Sequence, residues 1–151
     1  MSNLTMPGFS PAAEFISRSH GIIKRRQQDT ITFSRKPATD AVWEVLERCN
    51  EPDWDGEGAT AIDYETCIAV VSLIESLPRG YPSPTVLAEP DGQINLEWYT
   101  HPRRIVSASV SPEGVIYWAA LIGSEELRGS CRFIGEFPSA IRQSVARISI
   151  P

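Results

Sequence analysis

Apolar positions follow a helical period in the first half of the chain. One apolar stripe predicts a helix from Thr39 or Asp40 to about Cys49, because its members fall at i, i+3, i+4 and i+7: Val42, Val45, Leu46 and Cys49. A second helix is expected after Asp63, a favourable N-cap residue, and before Pro78. Apolar residues cover most of its circumference, so we expect it to be buried on more than one side.

From Thr85 onward, apolar residues recur at every second position. Apolar Ile94, Leu96 and Trp98 alternate with Asn95, Glu97 and Tyr99, which is typical of a half-buried strand. The alternation predicts that Glu97 faces solvent beside Asn95.

Two turns of the same design set the hairpins. Glu89–Gly92 and Ser111–Gly114 each place proline at i+1 and glycine at i+3, as in type I turns. Residues 85–89 should therefore pair with 93–99, and 104–110 with 115–122.

Further elements follow the two hairpins. A fifth strand is expected at about 127–134. Pro138 followed by Ile141, Val145 and Ile148 predicts a terminal helix. The predicted fold class is α+β, with two N-terminal helices, an antiparallel β-meander of four to five strands and a C-terminal helix.

Residues 37–151 are predicted to form a single α+β domain, and residues 1–36 a basic N-terminal arm that is partly flexible. Within the arm, Pro11 to about Ser17 is compatible with a short helix, and Thr30–Phe33 with an edge strand or a packed arm.

Composition indicates an ordinary globular domain. The 151 residues are 42% hydrophobic and 22% charged. The longest apolar run, residues 115–122, is far shorter than the roughly 20 residues of a membrane span. The three cysteines are an odd number without C-x-x-C spacing, which favours buried reduced thiols. We therefore expect a cytoplasmic protein that does not bind membranes.

Charge is unevenly distributed. Residues 1–36 carry six Lys or Arg against two acids, whereas residues 40–65 carry nine acids and only Arg48. An acidic belt of this kind suits a basic protein partner or cations and disfavours nucleic-acid backbones. The alternative is an ordinary solvated helix face and loop.

The segment Asp53-Trp-Asp-Gly-Glu-Gly-Ala59 and the later Pro90-Asp-Gly92 and Leu96-Glu-Trp98 resemble a group of short bacterial proteins with a "WDGxGA" loop and a "PDG…LEW" hairpin. The resemblance covers about residues 40–122. It implies a shared fold and a bacterial or mobile-element origin, and it implies no activity.

The acidic loop offers the sharpest candidate chemistry. Asp53, Asp55 and Glu57 alternate and precede Gly58, like positions 1, 3, 5 and 6 of a calcium loop. Position 12 is Tyr64 instead of glutamate, so these three acids are only weak metal candidates. The alternative is a tight glycine turn that buries Trp54 between the helices, with Asp55 capping backbone donors.

No catalytic residues and no cofactor are predicted. The two histidines, His20 and His101, lie at no metal-ligand spacing, and no glycine-rich phosphate loop is present. A carboxylate pair such as Asp55 with Glu97 could support acid–base chemistry, but nothing in the sequence brings the two together.

Nucleic-acid binding is the weaker alternative. Trp98, Tyr99, Tyr117 and Trp118 could form a stacking platform, but one residue of each adjacent pair must face each side of the sheet. The better electrostatic candidate is the run Lys24, Arg25 and Arg26 in the arm, unless the arm folds back on the acidic belt.

The sequence therefore favours a non-enzymatic protein-interaction or accessory module with an unidentified protein partner. Its oligomeric state stays open. The candidate contact residues are Trp54, Asp55, Glu57, Glu97 and Tyr99. A divalent-metal protein using residues 53–57 and a nucleic-acid-associated protein using Lys24, Arg25 and Arg26 stay open as alternatives.

Overall fold

Helices and strands are segregated along the chain, as expected for the α+β class. The computed structural model describes residues 34–150. In this part the elements are α1 (Lys36–Cys49), α2 (Tyr64–Glu75), β1 (Thr85–Ala88), β2 (Ile94–His101), β3 (Arg104–Val110), β4 (Val115–Ile122), β5 (Glu125–Arg132) and α3 (Ser139–Ser149). The antiparallel sheet and the α+β class are confirmed.

Helix α1 begins at Lys36, earlier than the predicted Thr39 or Asp40, because Pro37 in its first turn has a φ suited to helix initiation. Helix α2 begins at the predicted cap: Asp63 Oδ1 accepts hydrogen bonds from Thr66 N and Thr66 Oγ1, both at 2.7 Å.

The sheet is a meander in which strand order equals chain order, β1-β2-β3-β4-β5. Both predicted turns close with an i+3 to i hydrogen bond, Gly92 N to Glu89 O at 3.1 Å and Gly114 N to Ser111 O at 2.9 Å. The last strand starts at Glu125, two residues before the predicted position.

The core lies between the three helices and one face of the sheet. Helix α3 contributes Ile141, Val145 and Ile148, each at most 1% exposed. At one end of the core, Trp98 packs edge-on against Phe137 with ring centroids 6.0 Å apart, and its Nε1 donates to Pro82 O. Alternate strand residues therefore point toward the helices, as the period-two pattern predicts.

None of the helices described for residues 34–150 packs on the other face of the sheet. We call this the distal face; it carries Asn95, Glu97, Tyr99, Ile105, Ser107, Ser109, Tyr117 and Ala119. The prediction that Glu97 faces solvent beside Asn95 was wrong, because the two side chains are 1% and 0% exposed. Alternation separates the two faces of a strand, but it does not tell which of them is covered.

Three predictions for the N-terminal arm fall outside the described residues. These are the short helix to Ser17, the strand at Thr30–Phe33 and the basic run Lys24, Arg25 and Arg26. Within the described part, no helix combines the length and the apolar character needed to cross a membrane. All three cysteines are free, and Cys49 and Cys67 are buried.

Candidate functional site

The acidic loop between α1 and α2 is held by its own backbone. Asp53 N donates to Ala59 O at 2.8 Å, and Gly56 N donates to Asp53 O at 3.0 Å. The loop also places Asp53 itself at a φ of 63°, in the left-handed region that aspartate tolerates better than most residues. The chain therefore makes a closed turn, as the glycine pattern predicts.

The carboxylates of this loop point at its own amides. Asp55 Oδ1 accepts from Glu57 N at 2.8 Å and from Ala59 N at 3.0 Å, and Asp53 Oδ1 accepts from Gly58 N at 2.6 Å. In residues 34–150 no group of three or more His, Cys, Asp or Glu side chains is placed to hold a metal ion. The geometry gives the metal alternative no support.

Trp54 anchors the loop at the rim of the core. Its ring is half-buried against the core, and its Nε1 donates to Thr60 O at 2.9 Å. Thr60 N in turn donates to Pro90 O at 2.7 Å, so the loop is tied to the β1–β2 turn. These contacts describe a structural connection between the helical layer and the first hairpin.

A second candidate site is a polar cluster at one end of the distal face. Asn95 Nδ2 donates to the hydroxyl oxygens of Ser107 and Ser109, and Ser109 Oγ donates to Glu89 Oε1. Burial raises the pKa of the Glu89 carboxyl to about 7, with a smaller contribution from Asp91 in the same direction.

A carboxyl that titrates near neutrality has the pKa of a general acid or base. Asn95 Nδ2 fills the acceptor side of both hydroxyls, and the one histidine in residues 34–150, His101, is exposed at the end of β2. Asp55 and Glu97 do not form a pair, because Asp55 lies in the loop on the helical side and Glu97 on the distal face. Within residues 34–150 the cluster therefore pairs one hydroxyl with one carboxyl, Ser109 with Glu89, and contains no histidine.

The third candidate is an exposed apolar surface on the helical layer, which we call the aromatic patch: Trp43, Tyr64 and Ile68. Their exposed fractions are 37%, 56% and 39%. The rings of Trp43 and Tyr64 lie with centroids 5.9 Å apart, and Ile68 follows Tyr64 by one helical turn on α2. The patch therefore spans both helices.

Sequence reasoning missed this patch. The available signal was the position of Trp43, because it is a large apolar residue outside the apolar stripe of α1. The expectation that α2 is buried on more than one side fails at Tyr64 and Ile68, because no described element covers that side of the helix.

Acidic side chains surround the patch. Asp40 and Glu47 lie one helical turn before and after Trp43, and Asp63 and Glu65 flank Tyr64. All four are exposed, and Lys36 pairs with Asp40 at 2.6 Å. Four exposed acids of the acidic belt therefore lie within one helical turn of Trp43 or next to Tyr64 in the chain.

The contact residues predicted from sequence do not form one surface. Trp54, Asp55 and Glu57 belong to the loop, whereas Glu97 and Tyr99 lie on the distal face. The aromatics separate as predicted: Trp98 and Trp118 face the core, and Tyr99 and Tyr117 lie on the distal face.

No family model, no curated protein and no solved structure matches this chain.

Proposed function

We propose that this protein is a non-enzymatic interaction module whose aromatic patch binds an apolar segment of a basic protein partner. The observation that carries the proposal is the side-by-side exposure of Trp43, Tyr64 and Ile68 on two packed helices. Single exposed apolar residues are common on protein surfaces, but a cluster with two aromatic rings marks a contact site.

The chemistry of the patch matches that of interface hot spots. Tryptophan and tyrosine are enriched at the centres of protein interfaces, where each buries a large area at a low cost in conformational entropy. Both residues are carried by regular helices, so the surface is formed before a partner arrives. A preformed surface lowers the entropy cost of association.

Charge selects the partner. Asp40, Glu47, Asp63 and Glu65 form an acidic rim around the apolar centre. Such a rim repels nucleic-acid phosphates and attracts Lys and Arg side chains at the border of an apolar segment. We further propose a bacterial origin, which the resemblance through the WDGxGA loop implies, and a cytoplasmic location, which the expectation of reduced cysteines favours.

The test compares three forms of the full chain as affinity bait: the native protein, Trp43→Ser/Tyr64→Ser, and Tyr117→Ser. Tyr117 is the matched control, because it is an aromatic residue 51% exposed on the distal face. We expect a partner that binds the native and control proteins alike. The basic segment of that partner, made as a peptide, should bind the patch variant about 30-fold more weakly in calorimetry.

Two results would count against the proposal. The peptide could bind the patch variant as tightly as the native protein, or the recovered partner could be lost in the Tyr117→Ser control instead. The thermal midpoints of the three proteins should agree within a few degrees, since the substituted side chains are exposed, and this comparison excludes unfolding as the cause of lost binding.

A further inference from the structure

Strand β5 is one of the two edges of the sheet described for residues 34–150. It has eight residues, contains no proline and pairs with β4 without a register shift. Six of the eight residues are exposed, among them Arg128, Gly129 and Ser130. Natural edge strands are usually short, bulged or covered, because a long open edge pairs readily with other strands. An open edge of this length is therefore a candidate interface.

The opposite edge of the described sheet is protected. Strand β1 has only four residues, Thr85–Ala88, and helix α1 packs beside it. Pro84 precedes this strand and Pro90 follows it closely, and proline has no N–H to donate to a neighbouring strand. Of the two described edges, β5 is therefore the one that a further strand can join.

The hydrogen-bond pattern shows which backbone groups of β5 point away from β4. Phe133 N donates to Gly114 O at 3.4 Å, which continues the register of the β4–β5 pairing. In an antiparallel ladder, residues that bond to the neighbouring strand alternate with residues that do not. Because Phe133 bonds to β4, the odd-numbered residues of β5 do so too. The backbone N–H and C=O groups of Arg128, Ser130 and Arg132 therefore face the open side.

We propose that β5 pairs with β5 of a second copy of this chain, antiparallel across a two-fold axis at Gly129, so that two five-stranded sheets join into one. The same edge then serves both copies, as a two-fold interface requires. Residues that lie opposite each other must point to the same face of the joined sheet. For two identical strands this condition holds only when the axis passes through a residue, so few registers are allowed.

Charge selects among these registers. With the axis at Gly129, Glu126 lies opposite the partner's Arg132, and Arg128 lies opposite the partner's Ser130. An axis at Arg128 would place the two Arg128 side chains opposite each other, and an axis at Ser130 would place Arg128 opposite Arg132. Opposite charges stabilise a pair of strands, whereas like charges directly opposite destabilise it. The axis at Gly129 is therefore favoured over both neighbouring registers.

The contacts that these charges make within one chain are compatible with the pairing. Glu126 Oε1 accepts from Arg128 at 2.9 Å, and Arg132 donates to Glu113 O at 3.1 Å. A carboxylate accepts several hydrogen bonds and a guanidinium has five N–H donors, so both groups can make a further contact. The side chains of Arg128 and Arg132 are also exposed.

The opposite side of β5 gives the contact an apolar centre. Leu127 and Cys131 are partly buried at the border of the core, and in this register each lies opposite the other residue in the second copy. At the axis Gly129 carries no side chain, and the indole of Trp118 lies over it. No side chain at the axis therefore separates the two Trp118 rings.

This pairing goes beyond the proposed partner binding and does not depend on it. The aromatic patch lies on α1 and α2, and α1 packs at the β1 edge of the sheet. A dimer formed through β5 therefore leaves the patch of each copy open. Loss of the dimer and loss of the partner are separate outcomes, because the dimer is measured with the purified chain alone.

Sedimentation equilibrium of the full chain at about 1–500 μM tests the pairing. Because only the edges of two strands are buried, we expect a reversible dimer with a dissociation constant on the order of 10 μM. Ser130→Pro removes an N–H that faces the open side, where a single chain tolerates proline. This variant should keep the circular dichroism of the native protein and be monomeric. Ser130→Ala keeps the N–H and is the matched control that should dimerise like the native protein.

Charge reversal tests the register without changing the backbone. Arg132→Glu places like charges opposite each other at two symmetry-related positions, so the dimer should weaken at least about tenfold. The double variant Glu126→Arg/Arg132→Glu restores opposite charges and should recover most of the affinity. This comparison decides even if Ser130→Pro fails to fold.

A disulfide identifies the neighbours across the axis. Leu127→Cys would face the partner's Cys131 in a pair without mutual hydrogen bonds, where opposite strands are closest. Mild oxidation should therefore give a covalent dimer with a linkage between positions 127 and 131 in mass spectrometry. Within one strand these positions are roughly 13 Å apart, too far for a disulfide. Ser130→Cys faces Arg128 of the second copy and should cross-link at least about tenfold more slowly.

Three results would overturn the proposal. A monomer over the whole concentration range would exclude pairing through β5. A folded Ser130→Pro protein that dimerises as strongly as the native one would place the contact on another surface. A double charge variant as weak as Arg132→Glu alone, or a native protein that cross-links through two Cys131 side chains, would exclude the axis at Gly129.

Discussion

Gly129 on β5 is the position where one added methyl group has the clearest structural consequence. Gly129 lies opposite Trp118 on β4, and the indole ring lies flat over the glycine. A Cβ at residue 129 would lie 2.8 Å from Trp118 Nε1 and 3.0 Å from Cε2. Both atoms belong to a rigid ring system that is packed against the core.

Two opposing effects set the magnitude for Gly129→Ala. Glycine at this position has no left-handed backbone, so alanine would by itself stabilise the protein by about 0.4–1 kcal/mol through the unfolded chain. Overpacking against the ring costs about 1–3 kcal/mol. We expect the packing term to prevail and the free energy of unfolding to fall by about 1–2 kcal/mol.

Urea unfolding followed by tryptophan fluorescence measures this change. The m-value should stay constant while the midpoint falls. The neighbouring Ser130→Ala, exposed on β5, should change stability by less than about 0.5 kcal/mol. In a Trp118→Leu background, Gly129→Ala should lose most of its cost, because the opposing ring is gone. A Gly129→Ala protein at least as stable as the native one would refute the close packing of Trp118 on Gly129.

Four further predictions concern the loop, the polar cluster and the thiols. Trp54→Ala should destabilise by about 2–3 kcal/mol in urea unfolding, less than for a fully buried tryptophan, since the ring is half-buried; an effect under about 1 kcal/mol would contradict its anchoring role. Asp55→Ala should cost about 1–2 kcal/mol, because two backbone amides lose their acceptor, whereas Glu57→Ala should be nearly neutral. The folded pKa of Glu89, about 7, exceeds its ordinary 4.5, so the folded state binds the proton more tightly and stability should fall as pH rises between these values. Between pH 4 and pH 8, Glu89→Gln should remove up to about 3 kcal/mol of this decline in the free energy of unfolding, measured by denaturation at both pH values. An equal decline in the native protein and the variant would contradict this role of Glu89. Burial raises the pKa of the Cys67 thiol to about 11, and Cys67 is fully buried while Cys131 is partly exposed. A disulfide reagent should therefore label Cys131 first and Cys67 only on unfolding, and early labelling of Cys67 would disprove this order.

The meander was accessible to sequence reasoning because its signals are local. Two of the four hairpins are set by Pro-x-Gly turns, and their strands alternate within a few residues. The Asp63 cap depends on one side chain and an amide three residues away. The hydrogen bonds of turns and caps join residues only a few positions apart, so they can be predicted without tertiary information.

The surfaces were less accessible, because they depend on what other elements cover. The buried side of Glu97 and the exposed side of α2 were both assigned wrongly for this reason. The sequence shows that residue 68 is an apolar isoleucine, but only the packing of α1 beside α2 shows that this side chain is exposed. Likewise, the turn over Asp55 follows from its glycines, whereas the link from Thr60 to Pro90 joins segments thirty residues apart.

The sequential strand order has a consequence for synthesis on the ribosome. Each hairpin can form as soon as its second strand has left the exit tunnel, since every pairing joins neighbours in the chain. Helix α3 follows all five described strands, yet Ile141 and Val145 are fully buried in the core, and Ile148 O accepts a hydrogen bond from Thr100 Oγ1. In a nascent chain with a finished meander, the part of the apolar side of β2, β3 and β4 that α3 covers is therefore exposed to solvent until α3 emerges. In that interval the nascent chain is a substrate for chaperones and is at risk of aggregation.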